Sequence, residues 1–231
     1  MYPMYYGYGY DPAYLMLVLV SLVLGVATQA FINHTYKKWS RVSSGSVSGA
    51  AVARRMLDEN DCSGVGIRSV GGHLTDHYDP RDNNLYLSQD NLQGGSVASV
   101  AVACHEAGHA AQNRQGYFMM KVRQALVPVV NFTQNIWMIV LLAGILFNLA
   151  GLSTLAVALF AFSVIFQVVT LPVEINASRR AVAYIDQTGM GEENVRGARQ
   201  VLFAAALTYV AAALTSVLQL LYILARTQQD E

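Results

Sequence analysis

Four apolar tracts limit what this chain can fold into more than any other feature of its sequence. They fall at residues 13–32, 127–149, 152–173 and 201–225. An α-helix rises about 1.5 Å per residue, so about 20 apolar residues cross a hydrocarbon layer about 30 Å thick. The composition agrees with a membrane protein: 54% of the chain is hydrophobic and 13% is charged, about half the charged share of an ordinary soluble domain. The net charge is zero, which argues against nucleic acid as a partner and leaves the lipid bilayer as the expected surroundings. No basic residue precedes the first tract, whereas Lys37, Lys38 and Arg41 follow it, so it reads as an uncleaved span and not as a signal peptide. Residues 1–12, MYPMYYGYGYDP, read as a disordered lead whose tyrosines rest at the membrane interface.

The basic residues set an orientation. Those at 37, 38, 41, 54, 55, 68, 81, 114, 121 and 123 lie between the first and second tracts, and those at 179, 180, 196 and 199 between the third and fourth. Only Arg226 lies on the other side. The positive-inside rule then puts both polar segments, 33–125 and 174–200, in the cytoplasm and both termini outside. Two cysteines, Cys62 and Cys104, are too few and too far apart for a disulfide framework or a cysteine zinc cluster.

The first polar segment carries the chemistry. Residues 96–113, SVASVAVACHEAGHAAQN, have Ser96 placed as an N-cap behind two glycines and then an Ala-rich run of high helix propensity. On that helix His105 and His109 share a face, spaced to offer two imidazole nitrogens to one tetrahedral metal. Glu106 adjoins the first of them, where a carboxylate can take a proton from water activated by the metal and pass it to a leaving amine. This is the H-E-x-x-H arrangement of zinc peptidases, and a shuffled chain of this composition contains it on the order of 0.3% of the time. Chance is therefore a poor explanation.

Upstream, a Ser/Gly entry from Ser43 leads to a predicted amphipathic helix at residues 50–60 (AAVARRMLDEN), and VGIRSVGGHLTDHYDPRDNNLYLS predicts turns followed by a strand at residues 84–88. Leu85, Tyr86 and Leu87 on that strand are candidates for a sheet edge that pairs with an extended substrate, with a purely structural hairpin as the alternative. His73 and His77 repeat the four-residue spacing, but the flanking Gly-Gly and Asp-Pro predict a loop, where that spacing loses its meaning. With Asp76 they are better suited to orient substrate or support a ligand than to form a second metal site.

A catalytic zinc takes three protein ligands and keeps one position for water. Glu174 is the candidate third ligand, because a carboxylate at the end of a span calls for a reason and the hairpin of spans two and three returns the chain to the face it left. Its alternative role is an ion pair with Arg179 or Arg180. Pro172 is expected to re-aim the chain as it leaves the bilayer, with a separate polar helix from Glu174 to Gln187 ended by Gly189 and Gly191.

The stretches at 72–79 (GHLTDHYD), 85–88, 103–112 (ACHEAGHAAQ) and 172–181 (PVEINASRRA) resemble the bacterial YugP-like neutral zinc metallopeptidases, which are membrane proteins. That resemblance implies a gluzincin-like core in which His105, His109 and Glu174 bind one zinc per chain and Glu106 is the base. It implies a mainly α membrane protein, with about four transmembrane helices and a cytoplasmic zincin-like α+β metallopeptidase core, in the bacterial inner membrane. More distantly the chain is similar to HtpX-type membrane peptidases, but Ser178 stands where their Glu-x-x-Ala-Asp motif has Asp. Asn176, Ser178 or an Asp from 76–79 would have to supply the missing support behind a ligand His. For the oxyanion, His73, His77, Arg180 and Tyr184 are candidates of equal standing.

The expected function is therefore hydrolysis of peptide bonds in a protein or peptide substrate, itself membrane-associated, at the cytoplasmic membrane face. Two other readings compete. An intramembrane protease would need the motif inside a span, yet Gln112, Asn113 and Arg114 lie only three to five residues after His109. A membrane scaffold with a closed structural zinc would need a fourth protein ligand, His73 or His77, and would have no use for Glu106.

Overall fold

The computed structural model describes residues 11–45, 47–147 and 149–227, so most of the Tyr- and Gly-rich lead lies outside the described residues. Seven helices and three strands run in the order α1 (Pro12–Trp39), α2 (Gly49–Glu59), β1 (Gly66–Val70), β2 (His77–Asp79), β3 (Asn84–Ser88), α3 (Gln89–Gln93), α4 (Val97–Arg114), α5 (Phe118–Leu146), α6 (Ala150–Gln187) and α7 (Glu192–Thr227). The chain is mostly helical with one small sheet, and α1, α5, α6 and α7 are long and apolar enough to cross a membrane. Their apolar side chains remain widely exposed, as expected of surfaces that meet lipid and not water.

These helices extend beyond the apolar tracts that seed them. The last turns of α1 bury Tyr36 and Trp39 in the same core as α2, α4 and the sheet. α5 begins at Phe118 and continues through Pro128. α6 runs unbroken through Pro172 to Gln187, so the break expected at that proline does not occur and Glu174 lies on the third span's own helix. Neighbouring side chains can re-satisfy backbone groups around a proline in such a helix, and the segment behind it is tightly held, with Val173 fully buried. The helix stops where Gly189 (φ 69°) and Gly191 (φ 96°) adopt left-handed backbone that other residues avoid.

α4 is the axis of the folded core. Ser96 caps it, its Oγ accepting from the Ser99 N–H at 3.1 Å. Its residues are mostly Ala, Val, Ser and Gly, which let α2, α6 and α7 approach from different sides, and most of the helix is buried. α6 comes close enough that a Cβ added to Gly108 would lie 2.9 Å from the Ala177 carbonyl oxygen. Only glycine fits there. Gly108→Ala is expected to cost about 1–3 kcal/mol by forcing the helices apart, read as a lower thermal midpoint together with weakened zinc binding.

The sheet corrects one expectation. Its order is β1-β3-β2, with β1 parallel and β2 antiparallel to β3. Leu85, Tyr86 and Leu87 therefore sit on the middle strand, where β1 and β2 already use the backbone groups on its two sides, and β3 offers no edge to a substrate. Where β2 stops short, the Asp76 carboxylate takes the Ser88 N–H at 2.7 Å. The edge beside α4 belongs to β2, whose Tyr78 N–H reaches the Glu106 carboxylate.

Candidate metal centre

The two α4 histidines and Glu174 meet at one point. His105 Nε2 lies 3.2 Å from Glu174 Oε2, His109 Nε2 lies 3.5 Å from the same oxygen, and the two Nε2 atoms are 3.1 Å apart. Zinc bonds of about 2.0–2.1 Å in tetrahedral geometry put donor atoms about 3.3 Å from one another. These three atoms thus occupy three corners of such a tetrahedron, and they are the one metal-competent group among the described residues.

The hydrogen bonds behind the donors fix which nitrogen faces the metal. Gln112 donates both amide hydrogens, to Val173 O at 2.8 Å and Asn176 Oδ1 at 3.0 Å, which leaves its Oε1 to face His109 Nδ1 at 3.0 Å. His109 must then carry its proton on Nδ1, leaving the Nε2 lone pair for a metal. Ser178 Oγ is 3.2 Å from His105 Nδ1 and can hold that ring in the same tautomer. The support sought behind the histidines thus comes from Ser178 directly and from Asn176 through Gln112. Gln112 did not stand out from the sequence alone, although its position three residues after His109 puts it on the same face. Gln112→Leu should weaken zinc about 10–100-fold, measured by competition with a chromophoric chelator.

Glu106 is not one of the three donors. It lines a cavity of about 230 Å³ with His105, Asp76, Gln29, Thr208 and Tyr209. Burial is the largest influence on its carboxyl and pushes it up to about 7; His105 and the Tyr78 N–H oppose the rise, and Glu174 and Asp76 add to it. A bound dication would pull it back down.

The remaining candidates lie elsewhere. Arg180 binds Asn176 Oδ1 at 2.8 Å and Gln115 Oε1 at 2.6 Å, so it neither pairs with Glu174 nor reaches the cavity. Tyr184 points to Glu59 on α2 at 3.3 Å. His77 stacks on Tyr86 at the exposed side of the sheet, and its Nδ1 faces the Thr75 carbonyl. His73 packs edge-on against Tyr36. Neither joins the metal group, and their four-residue spacing spans a turn and a strand, not a helix. Asp76 does reach the cavity, but its carboxylate is spent on Ser88 and Asn91. Tyr209, on α7, lines the cavity close to Glu174; nothing in its apolar surroundings in the sequence marked it. Cys104 is fully buried, and burial pushes its thiol well above the ordinary range, as suits a packing residue.

Fold and donor set define a protein with four candidate membrane spans and a two-histidine, one-carboxylate centre beside a free glutamate. Residues 14–228 match the family described as "Putative neutral zinc metallopeptidase", and the chain belongs to that family. It is 41% identical over 212 residues to the "Putative membrane protease YugP" of Bacillus subtilis (strain 168), an alignment covering 90% of this chain and 93% of that relative. No solved structure matches the chain.

Proposed function

We propose that the protein is a zinc endopeptidase of the bacterial inner membrane, with a gluzincin-like centre acting at the cytoplasmic face. The observation that carries this reading is the near-tetrahedral spacing of His105 Nε2, His109 Nε2 and Glu174 Oε2, with Glu106 beside them in an open cavity. A zinc ion held by the three donors would act as a Lewis acid and lower the pKa of a water in the open fourth position.

Glu106, beside the three donors and not among them, would take the proton of the attacking water and return it to the leaving amine. Gln112 and Ser178 hold the imidazoles so that Nε2 of each stays free of a proton. The β2 edge at Tyr78, and not β3, is positioned to meet an extended substrate backbone. The Tyr209 hydroxyl, which lines the same cavity as Glu106 and His105, is the donor we assign to a developing oxyanion. The fourteen basic residues in the two polar segments support a cytoplasmic site with both termini outside. A closed structural zinc would need His73 or His77, and both face away from the donors.

Treating the detergent-purified protein with a chelator should abolish cleavage of a mixed peptide library, read by mass spectrometry, and stoichiometric zinc should restore it. Cleavage that survives complete zinc removal would defeat the reading.

A further inference from the structure

The cavity over His105 and Glu106 shares part of its lining with a second cavity in the membrane-spanning region. On that side it is bounded by Gln29 of α1 and Thr208 of α7. The same two residues begin the second cavity, of about 420 Å³, which runs between the two helices past Gly25 to Ser21 and Ser216. Eight residues of helix separate Gln29 from Ser21, or about 12 Å along α1. That stretch lies in the helix with the highest mean hydropathy of the four, 2.4. The opening is therefore at bilayer depth.

The two helices are pinned to each other near both ends. Trp39 Nε1 donates to Gln200 Oε1 at 3.0 Å near one end, and the rings of Tyr14 and Tyr222 pack with centroids 5.6 Å apart near the other. Between these pins the walls are small side chains. A Cβ added to Gly25 would meet nothing within 4 Å, so the α1 backbone itself is open to the groove. Ser21 donates to Leu17 O and Thr28 to Leu24 O, each at 2.7 Å, and Thr208 donates to Ala205 O at 2.6 Å. These hydroxyls are satisfied within their own helices and ask for no polar ligand.

We propose that this groove docks a membrane-spanning helix of the substrate, so that the bond presented to the metal lies among the first residues after that helix leaves the bilayer. The inference rests on the peptidase reading and names its substrate class. Small walls and an open glycine suit the close approach of a helix backbone. The shared lining at Gln29 and Thr208 places the groove next to the cavity of His105 and Glu106, which favours a substrate over a lipid tail or a second copy of the chain, since neither of those has any use for a site beside the metal. Holding the span in the groove makes delivery of the adjoining stretch effectively intramolecular.

The test uses full-length, zinc-loaded protein in lipid vesicles and two peptide libraries with the same randomised stretch. One library carries that stretch beside a single Leu- and Ala-rich membrane span, and the other carries it free in solution. The anchored library should be cut at least about tenfold faster at matched concentration. Gly25→Leu, whose Cβ meets no atom within 4 Å and whose side chain projects into the groove, should remove that advantage while zinc content and cleavage of the soluble library stay at the wild-type level. Equal cleavage of both libraries by the wild type, or an anchored advantage that survives Gly25→Leu, would overturn the proposal and leave the peptidase reading intact. Cleavage of neither library would overturn the peptidase reading itself. Independently, a photoactivatable residue at Ser216 should capture the span peptide; capture of lipid or of a second copy in its place would also overturn the docking proposal.

Discussion

Glu106→Gln is expected to leave zinc bound and to lower peptide-bond cleavage by about 100- to 10,000-fold, the range a positioned general base contributes. The carboxylate stands outside the three-donor group, so its removal takes no bond from the metal. Glutamine keeps the shape and an oxygen for the Tyr78 N–H, and loses only the ability to take up a proton. Because the residue is almost wholly buried, a smaller replacement would leave a void and confuse chemistry with packing. The check is zinc content and cleavage rate on the same preparation. Zinc lost together with activity would show that Glu106 supports the metal and is not the base.

Glu174→Ala is expected to remove zinc altogether on dialysis. Losing a group behind a ligand costs about 10–100-fold in affinity, and losing the ligand itself must cost more, since two imidazoles on one helix remain. The variant should still fold, because the contact that seats α6 against α4 is Gly108 on Ala177, three residues further on. His73→Ala is the matched control: that side chain packs on Tyr36, away from the donors, and the variant should keep its zinc. The opposite pattern, zinc kept without Glu174 and lost without His73, would favour the scaffold reading.

Much of this arrangement was legible in the sequence, for reasons tied to particular residues. His105, Glu106 and His109 needed only a helix, and Ser96 followed by an alanine-rich run supplies one. Glu174 was reachable because an out-and-back pair of spans constrains where the chain returns. The strand at Asn84–Ser88 was readable from its alternation, but its place in the sheet was not. Its partner strands are Gly66–Val70, half-exposed and without a clean alternation, and the three-residue His77–Asp79, too short to register, and a parallel β1–β3 pairing cannot be read from turn signals. Continuity of α6 through Pro172 was hidden because a proline's local cost is visible in sequence while the tertiary packing that offsets it is not. For the same reason Gln112 and Tyr209 emerged only from the structure: each acts through residues distant in the chain, Val173 and Asn176 for one and Glu174 for the other.

The account stands on an open zinc site with three protein ligands, and X-ray absorption at the zinc edge of the purified protein tests it most directly. It predicts nitrogen and oxygen neighbours only, at about 2.0–2.1 Å, with the outer-shell signature of two imidazoles. A third imidazole, or sulfur at about 2.3 Å, would mean a site closed by the protein and would contradict it.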